Sequence, residues 1–595
     1  MTTPPVAAAD RTNARLYGSD PIAAMLRALG IDYVALTPGA SFRGLHDSLV
    51  NYLGNRQPQM LLCVHEEHAV ALAHGWARVT GRPLAVALHS NVGLMHATMA
   101  IFNAWCDRVP ILLLGAVGPM DAAHRRPWVD WIHTASDLGA LVRGYTKWDN
   151  QPASVPAALE AILRAHRIAT AEPCGPVYVC LDATTQEQPV DPAVELPPLD
   201  RFRPAAPADP PREAVAAAAK ILAQAGRPLI LMGRVSRLRA DWDRRVALAE
   251  RLGADVLTDL KTGATFPTAH PRHPFPPGLY VTAEAGALIR EADAILALDW
   301  VDLAGTLRQA CAGRLPAAKV IHCSLDQHLH NGWSMDYQAL PPADVAMAAS
   351  PDRLVDRLLE ALPARAAPAP PRPRAAAPEP GPDVVDGRLS VQAMARVTTD
   401  TLAAHDPAYI RLPLGWPGDC CRFADPLDYI GFDGGGGIGS GPGMAVGAAL
   451  ALREAGSNRL PVAVLGDGDY LMGLTALWTA VHYRIPVLIL VANNESFFND
   501  ELHQERVARA RGRPVENRSI GLRLSDPPND LAMLARGQGA AGFGPVRSAA
   551  ALRAAIDEAV RRTRAGAVAV IDVAVAPEYA RAMSSTLLRQ IPSAS

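Results

Sequence analysis

The sequence predicts an α/β protein built from three doubly wound parallel-sheet domains. Three observations carry that expectation. Short apolar runs alternate with longer helical patterns along the chain; two Pro/Ala-rich breaks divide it into three pieces; and 49% of residues are hydrophobic but only 5% aromatic, the Ala/Val/Leu-rich profile of helices covering parallel strands. With 595 residues the chain is too long for one core, and at roughly 150 residues per domain it calls for about three or four units.

The breaks are "DPAVELPPLDRFRPAAPADPP" (191–211) and "PARAAPAPPRPRAAAPEPGPDVVDG" (363–387), compositions that favour extended linkers. They separate an N-terminal domain (1–190), a central domain (205–362) and a C-terminal domain (388–595). In the first, "YVALTPG", "QMLLCVH", "PLAVALHS", "PILLLGAV" and "PVYVCLD" read as strands, with helical patterns at 66–80 and 92–106. The second offers "RPLILMG", "ADVLTDL", "AILALDW" and "KVIHCSLD", and the third "YIRLPL", "PVAVLGDG", "PVLILVANN" and "AVAVIDVAV". Ligands are expected beyond the carboxyl ends of these strands.

Lys and Arg total 57 against 59 Asp and Glu, a net charge of -2, which argues against nucleic-acid and polybasic membrane surfaces and points to small-molecule ligands. Eight scattered cysteines without a CxxC pair read as reduced thiols. No basic-then-apolar leader and no apolar run of about 18 residues is present, so the expectation is a soluble cytoplasmic protein.

Two stretches carry chemistry. In "VAVLGDGDYLMGLTALWTAVHYRIPVLILVANNESFF" (462–498), one buried strand ends in Gly466-Asp467-Gly468 and a second in Asn493-Asn494. Neighbouring parallel strands end on one sheet edge, so Asp467 and Asn494 converge there, and such hard oxygen donors suit Mg²⁺. The glycines let backbone N–H groups approach a diphosphate at the following helix N-terminus. In "VHEEHAVALAH" (64–74), Glu66 and Glu67 stand side by side between His65 and His68. Adjacent carboxylates in an apolar segment are costly unless paired, exposed or employed. A zinc-protease HExxH reading fails because position 69 is Ala. A capped helix with a solvated Glu pair stays open as the ordinary reading.

The GDG…NN pair resembles the diphosphate and metal motif of the thiamine diphosphate-dependent decarboxylase and acetolactate synthase superfamily, whose chains also run pyrimidine-binding, central and diphosphate-binding. That resemblance implies thiamine diphosphate and Mg²⁺ as cofactors. By position, Asp467, the Asn494 side chain and the Ser496 backbone carbonyl would ligate the metal, and Gly466, Gly468 and Asp469 would border the diphosphate. Upstream, "GGGGIGSGPGMAVGAALAL" (434–452) matches the family loop whose bulky aliphatic, here Ile438, props the bent cofactor. "VHEEHAVALAHGWARVTGRP" is similar to the family's HEQGA…GYAR pattern, which makes Glu66 the glutamate that bonds the aminopyrimidine and Glu67 a capping or interface residue. Because the family pairs the first domain of one subunit with the third of another, the resemblance implies a homodimer or homotetramer.

His89 closes a strand 23 residues after Glu66, in an LHS segment like that of the benzoylformate decarboxylase branch, where the His transfers protons. This implies a 2-oxo acid decarboxylase with His89 and Ser41 as catalytic residues. An acetolactate synthase-like carboligase or a 2-hydroxyacyl lyase is the alternative, and a non-catalytic subunit of the same fold the remote one. Two departures stand against the branch: "AILALDWVDLAGTL" lacks the central-domain histidine, offering Asp299, Trp300 and Asp302 instead, and "TPGASFRGL" inserts Ala40 before the serine. His46, His68, His124 and His133 are spare acid/base candidates with no better claim than a surface role. "HRRPWVDWIHTA" (124–135), with Arg125, Arg126, Trp128 and Trp131, reads as a subunit-interface segment; the arginine-rich 499–521 run falls where the resemblance implies an active-site lid, with a solvated charged face as the ordinary reading. The central domain has no GxGxxG fingerprint, so nothing supports FAD.

Overall fold

The computed structural model describes residues 15–190, 194–326, 339–363, 370–376 and 381–579. Three parallel sheets follow one another along the chain, each flanked by helices. The first domain carries β1 (Tyr33–Leu36), β2 (Gln59–Leu62), β3 (Leu84–His89), β4 (Ile111–Val117), β5 (Asp149–Asn150) and β6 (Pro176–Asp182) in the order β2-β1-β3-β4-β6-β5. The central sheet, β7 (Pro228–Met232), β8 (Asp255–Thr258), β9 (Ala294–Leu298), β10 (Lys319–Cys323) and β11 (Val345–Met347), runs β11-β10-β9-β7-β8. After a short hairpin, β12 (Val384–Val385) and β13 (Arg388–Leu389), the third sheet orders β14 (Pro407–Arg411), β15 (Leu460–Gly466), β16 (Val487–Asn493), β17 (Ala541–Val546) and β18 (Val568–Ala574) as β14-β15-β16-β18-β17.

Every apolar run expected as a strand forms one. The strands that the pattern did not indicate are short, or in the case of β17 irregular: "AGFGPV" holds two glycines and a proline, and its register with β18 slips between Phe543 and Val546, where Gly544 sits at φ 116°. The described part of the second Pro-rich segment lies on the central domain, with Arg372 paired to Asp255 (3.1 Å) and Glu291 (2.7 Å). No helix among the described residues is long and apolar enough to cross a membrane, and all eight cysteines are free.

The first and third domains meet through two helices, α1 (Glu66–Thr80) and α3 (Gly441–Glu454), with α2 (Ser90–Cys106) beside them. α1 starts at His65, whose Nδ1 accepts from the Glu67 amide (3.1 Å), and stops at Gly81, in the left-handed region. Its crossing with α3 is backbone on backbone: a methyl on Gly75 would lie 2.1 Å from the Met444 carbonyl oxygen, one on Gly447 1.9 Å from that of Leu72, and one on Gly443 2.7 Å from Ala71 Cβ. Buried ion pairs reinforce the junction. Asp107 Oδ2 pairs with Arg78 (2.7 Å) and lies 2.9 Å from His74 Nε2, and Arg78 reaches across to the Ile430 carbonyl (2.7 Å). Arg108 ties the first domain to Asp299 and Asp326 of the central one.

Two outcomes test this account. Gly447→Ala is expected to destabilise the chain by about 3 kcal/mol or more, because neither backbone can yield, whereas Gly537→Ala, with open space around it, is expected to be nearly silent; chemical denaturation compares them. The second concerns acid. Burial pushes the imidazoles of His68 and His273 from 6.5 down to about 4, so both fold neutral. Between those values the unfolded chain binds protons that the folded chain refuses, so stability is intact above pH 6.5 and falls toward pH 4, by at most about 3 kcal/mol per histidine. His273→Gln should flatten the dependence of the melting temperature on pH in that window; an unchanged slope contradicts the assignment.

Candidate active site

Strand pairing brings the third domain's candidates together. Gly466 at the end of β15 lies opposite Ala492 of β16, so Asp467, opening helix α4 (Asp467–Gly473), and Asn494 leave the sheet at one edge. The Ser496 amide donates to both Asp467 Oδ2 (3.2 Å) and Asn494 Oδ1 (2.9 Å), and Gly468 N donates to Asp467 Oδ1 (2.8 Å). Burial pushes the Asp467 carboxyl up to about 6 despite those amides. A buried carboxylate beside an amide oxygen, with no cationic side chain among the causes of its shift, is the donor chemistry of a hard divalent cation, and the residues fit Mg²⁺. Room for a diphosphate exists too: a methyl on Gly466 or Gly436 would meet nothing within 4 Å. Gly468 differs, since a methyl there would strike the Phe497 ring at 2.6 Å.

Asp469 is occupied in holding the glycine loop. Its Oδ1 accepts from Gly439 N (2.7 Å) and Gly441 N (3.2 Å), while Oδ2 pairs with the buried Arg411 on β14 (3.0 Å). Ile438, half-buried, sits in this loop, which Asn103 of α2 also grips through the Gly437 carbonyl (3.2 Å) and Ser440 Oγ (3.0 Å).

The glutamate pair is asymmetric. Glu66 is buried at the first turn of α1, whereas Glu67 reaches across the domain junction to accept from Ser440 Oγ (3.4 Å), and burial raises its carboxyl. Glu66 Oε2 meets His96 Nδ1 (3.1 Å), and Gly93 makes room for it, since a methyl there would lie 3.3 Å from the Glu66 carboxylate. His65, Glu66 and His96 bring ligand atoms within 4.8 Å of one another. His96 was missed by the sequence reading. Its signal was helical spacing within α2, where Gly93 and His96 stand three residues apart on one face.

In the first domain, His89 stands at the carboxyl end of β3, opposite Ala116 of β4. Ser41 Oγ lies 2.8 Å from His89 Nδ1, so the inserted Ala40 does not keep the two apart. Gly39 allows the approach, since a methyl there would fall 2.2 Å from His89 Cβ. Burial lowers the His89 imidazole, helped by the His133 and Arg126 charges and opposed by Glu66.

Of the spare histidines, His68 is buried and His133 partly so. His68 is 3% exposed and bonds Thr475 Oγ1 (3.2 Å), because the α1 face that carries it packs on the third domain. His133 is partly buried, with its ring centroid 4.8 Å from that of His89. His46 and His124 are exposed. The central-domain groups that stand in place of a histidine are committed elsewhere: Asp299 to Arg108, Trp300 Nε1 to Thr306 Oγ1 (2.9 Å), and Asp302 to the Gly305 amide (3.0 Å). A cavity of about 1560 Å³ opens over the carboxyl ends of the central strands, between Arg234, Lys261, Asp299 and the Asp433–Gly436 loop; Ser41, Glu66, His89 and Asp467 do not line it. Helix α5 (Phe498–Ala510), from the expected lid, borders this cavity through Asn499, His503 and Arg506.

Three family models match the chain: the N-terminal TPP binding domain of thiamine pyrophosphate enzymes over residues 17–140, the central domain over 215–349, and the C-terminal TPP binding domain over 414–573. A benzoylformate decarboxylase of Pseudomonas aeruginosa is 27% identical over 463 residues, covering 73% of this chain and 79% of that protein. An acetolactate synthase large subunit of Corynebacterium glutamicum is 25% identical over 512 residues, covering 81% and 75%. Among solved structures, benzoylformate decarboxylase from Polynucleobacter necessarius shares the fold at a TM-score of 0.77, 21% identity, and coverage of 95% and 99%.

Proposed function

Because this chain belongs to the thiamine pyrophosphate enzyme family and is an enzyme dependent on that cofactor, we propose that it is a Mg²⁺-dependent lyase that decarboxylates a 2-oxo acid. The observation that carries the reading is the His89–Ser41 pair at the carboxyl end of β3, 2.8 Å apart, in the domain that also presents Glu66. Releasing CO₂ leaves a carbon that must take a proton, and a histidine held by a serine at a strand end supplies one. Carboligation replaces that proton by a second carbonyl compound and has less need of the pair.

When bound, thiamine diphosphate supplies a carbanion at its thiazolium C2 and a sink for the electrons of the broken C–C bond. The chain's part is to hold and to move protons. Asp467, Asn494 and the Ser496 carbonyl would hold Mg²⁺ beside the diphosphate, and the loop braced by Asp469 would present Ile438 to the cofactor. Glu66 would hydrogen-bond the aminopyrimidine N1′ and hold a proton there, and His96 Nδ1 keeps its carboxylate in place. His89, held by Ser41, serves the substrate carbonyl.

A second copy of this chain completes the site. Val64, Val92, Met95 and Met472 are exposed, at 47%, 39%, 56% and 55%; Val64 precedes α1 by two residues, Val92 and Met95 stand on either side of Gly93, and Met472 packs beside Gly439. Apolar side chains clustered there favour burial against a partner, and the assembly we propose is a homodimer or a pair of them.

The purified protein should bind thiamine diphosphate only with a divalent metal. Glu66→Gln should abolish exchange of the C2 proton, read by NMR, while cofactor affinity changes little; exchange at the native rate would sink the assignment. A 2-oxo acid panel with and without acceptor aldehydes, scored for CO₂ and acyloin, separates decarboxylation from ligation.

A further inference from the structure

The histidine expected from the central domain and absent there has a counterpart inside the first domain. His133 lies on the segment that follows β4 and folds back over the edge of the sheet. Its ring meets that of His89 edge to face, at 4.8 Å and 66°. This contact is built rather than incidental. The His133 carbonyl accepts from Ser90 Oγ and from Gly118 N (3.3 Å), and the Ile132 carbonyl from Asn91 Nδ2 (3.2 Å). One turn earlier, the buried Asp130 carboxylate takes the Arg126 amide (2.7 Å) and two of its guanidinium N–H groups (3.1 and 2.8 Å). Ser90, which donates its hydroxyl to the His133 carbonyl, is a non-glycine residue at φ 48°, a strained conformation that persists where surroundings impose it.

We propose that His133 is the second acid/base of the active site, working with His89 on the same substrate carbon. This rests on the decarboxylase reading above. The overall reaction takes a 2-oxo acid anion and one proton to an aldehyde and CO₂. The carbonyl oxygen gains a proton when the carbon is attacked and gives it back when the aldehyde leaves, and the carbon takes and keeps one after CO₂ departs. His89 has Nδ1 committed to Ser41, which leaves Nε2 for one of these tasks. With His133 beside it, one imidazole returns the oxygen's proton while the other protonates carbon and is recharged from water.

The test uses the cofactor-loaded enzyme on whichever 2-oxo acid the wild type turns over best. His133→Ala is expected to lower kcat by about 10²-fold or more, with KM and cofactor affinity within a few-fold, and added imidazole should restore a measurable part of the rate. Should His133→Ala fail to fold, His133→Gln is read in the same way. A variant within three-fold of wild type overturns the proposal, as does a loss that imidazole leaves untouched, which marks a structural residue. Wild-type enzyme that releases no CO₂ from any 2-oxo acid while still exchanging the C2 proton overturns the decarboxylase reading itself, an outcome distinct from an active wild type with a silent His133 variant.

Discussion

Helices α1 and α3 touch backbone to backbone because Gly75, Gly443 and Gly447 carry no side chains, and this crossing fixes the first domain on the third. Any Cβ at Gly75 or Gly447 would meet a main-chain carbonyl at about van der Waals overlap, and main chain inside a packed helix pair has nowhere to go. The consequence for the site is direct. Glu66 and Glu67 form the first turn of α1, and the loop that ends in Ser440 leads into α3, so the helix crossing sets the distance between carboxylates and loop. The Glu67–Ser440 contact at 3.4 Å is a product of that spacing.

Charges buried at the domain junctions act as locks with a preferred key. Asp107, His74 and Arg78 form a set closed within the first domain, while Arg78 donates to the Ile430 carbonyl of the third. Arg411, 3% exposed, holds Asp433 and Asp469 together, and Asp469 in turn organises the glycine loop. Replacing such groups by apolar ones can be neutral for stability, whereas removing one partner strands a buried charge at a cost of about 3–5 kcal/mol. What they contribute is position. An arginine fork bonded to two carboxylates leaves the loop carrying Ile438 one geometry rather than several.

Much of the fold is legible in the sequence because parallel strands buried on both faces must be continuously apolar, and each such run from "YVAL" to "AVAVIDV" is a strand. The 66–80 helix matches the pattern to the residue, since His65 and Gly81 punctuate it chemically. Neighbouring parallel strands end on one sheet edge, so the meeting of Asp467 with Asn494 could be foreseen once β15 and β16 are neighbours. What escaped was position in three dimensions. His68 looks like any polar residue of an amphipathic helix until the helix is buried on two sides, and His96 gains meaning once Glu66 lies next to it. His133 is harder still: it sits on no strand or long helix, and nothing in "WVDWIHTA" records that Ser90 and Asn91 will tie that backbone to the start of α2.

These two kinds of legibility divide the site by function. The groups assigned to the cofactor rest on strand ends and on helices locked by glycine crossings and buried ion pairs, where a shift of an ångström would be resisted by the whole interface. The groups assigned to the substrate, Ser41, His89 and His133, gather where two loops fold over the edge of the first sheet, and one of them is held by a backbone torsion at Ser90 that its neighbours must enforce. Loops tolerate change that helix crossings do not. A chain can therefore keep the cofactor half of this site while moving a histidine from the central domain to the first, because the reaction asks for an imidazole near one carbon and is indifferent to which loop delivers it.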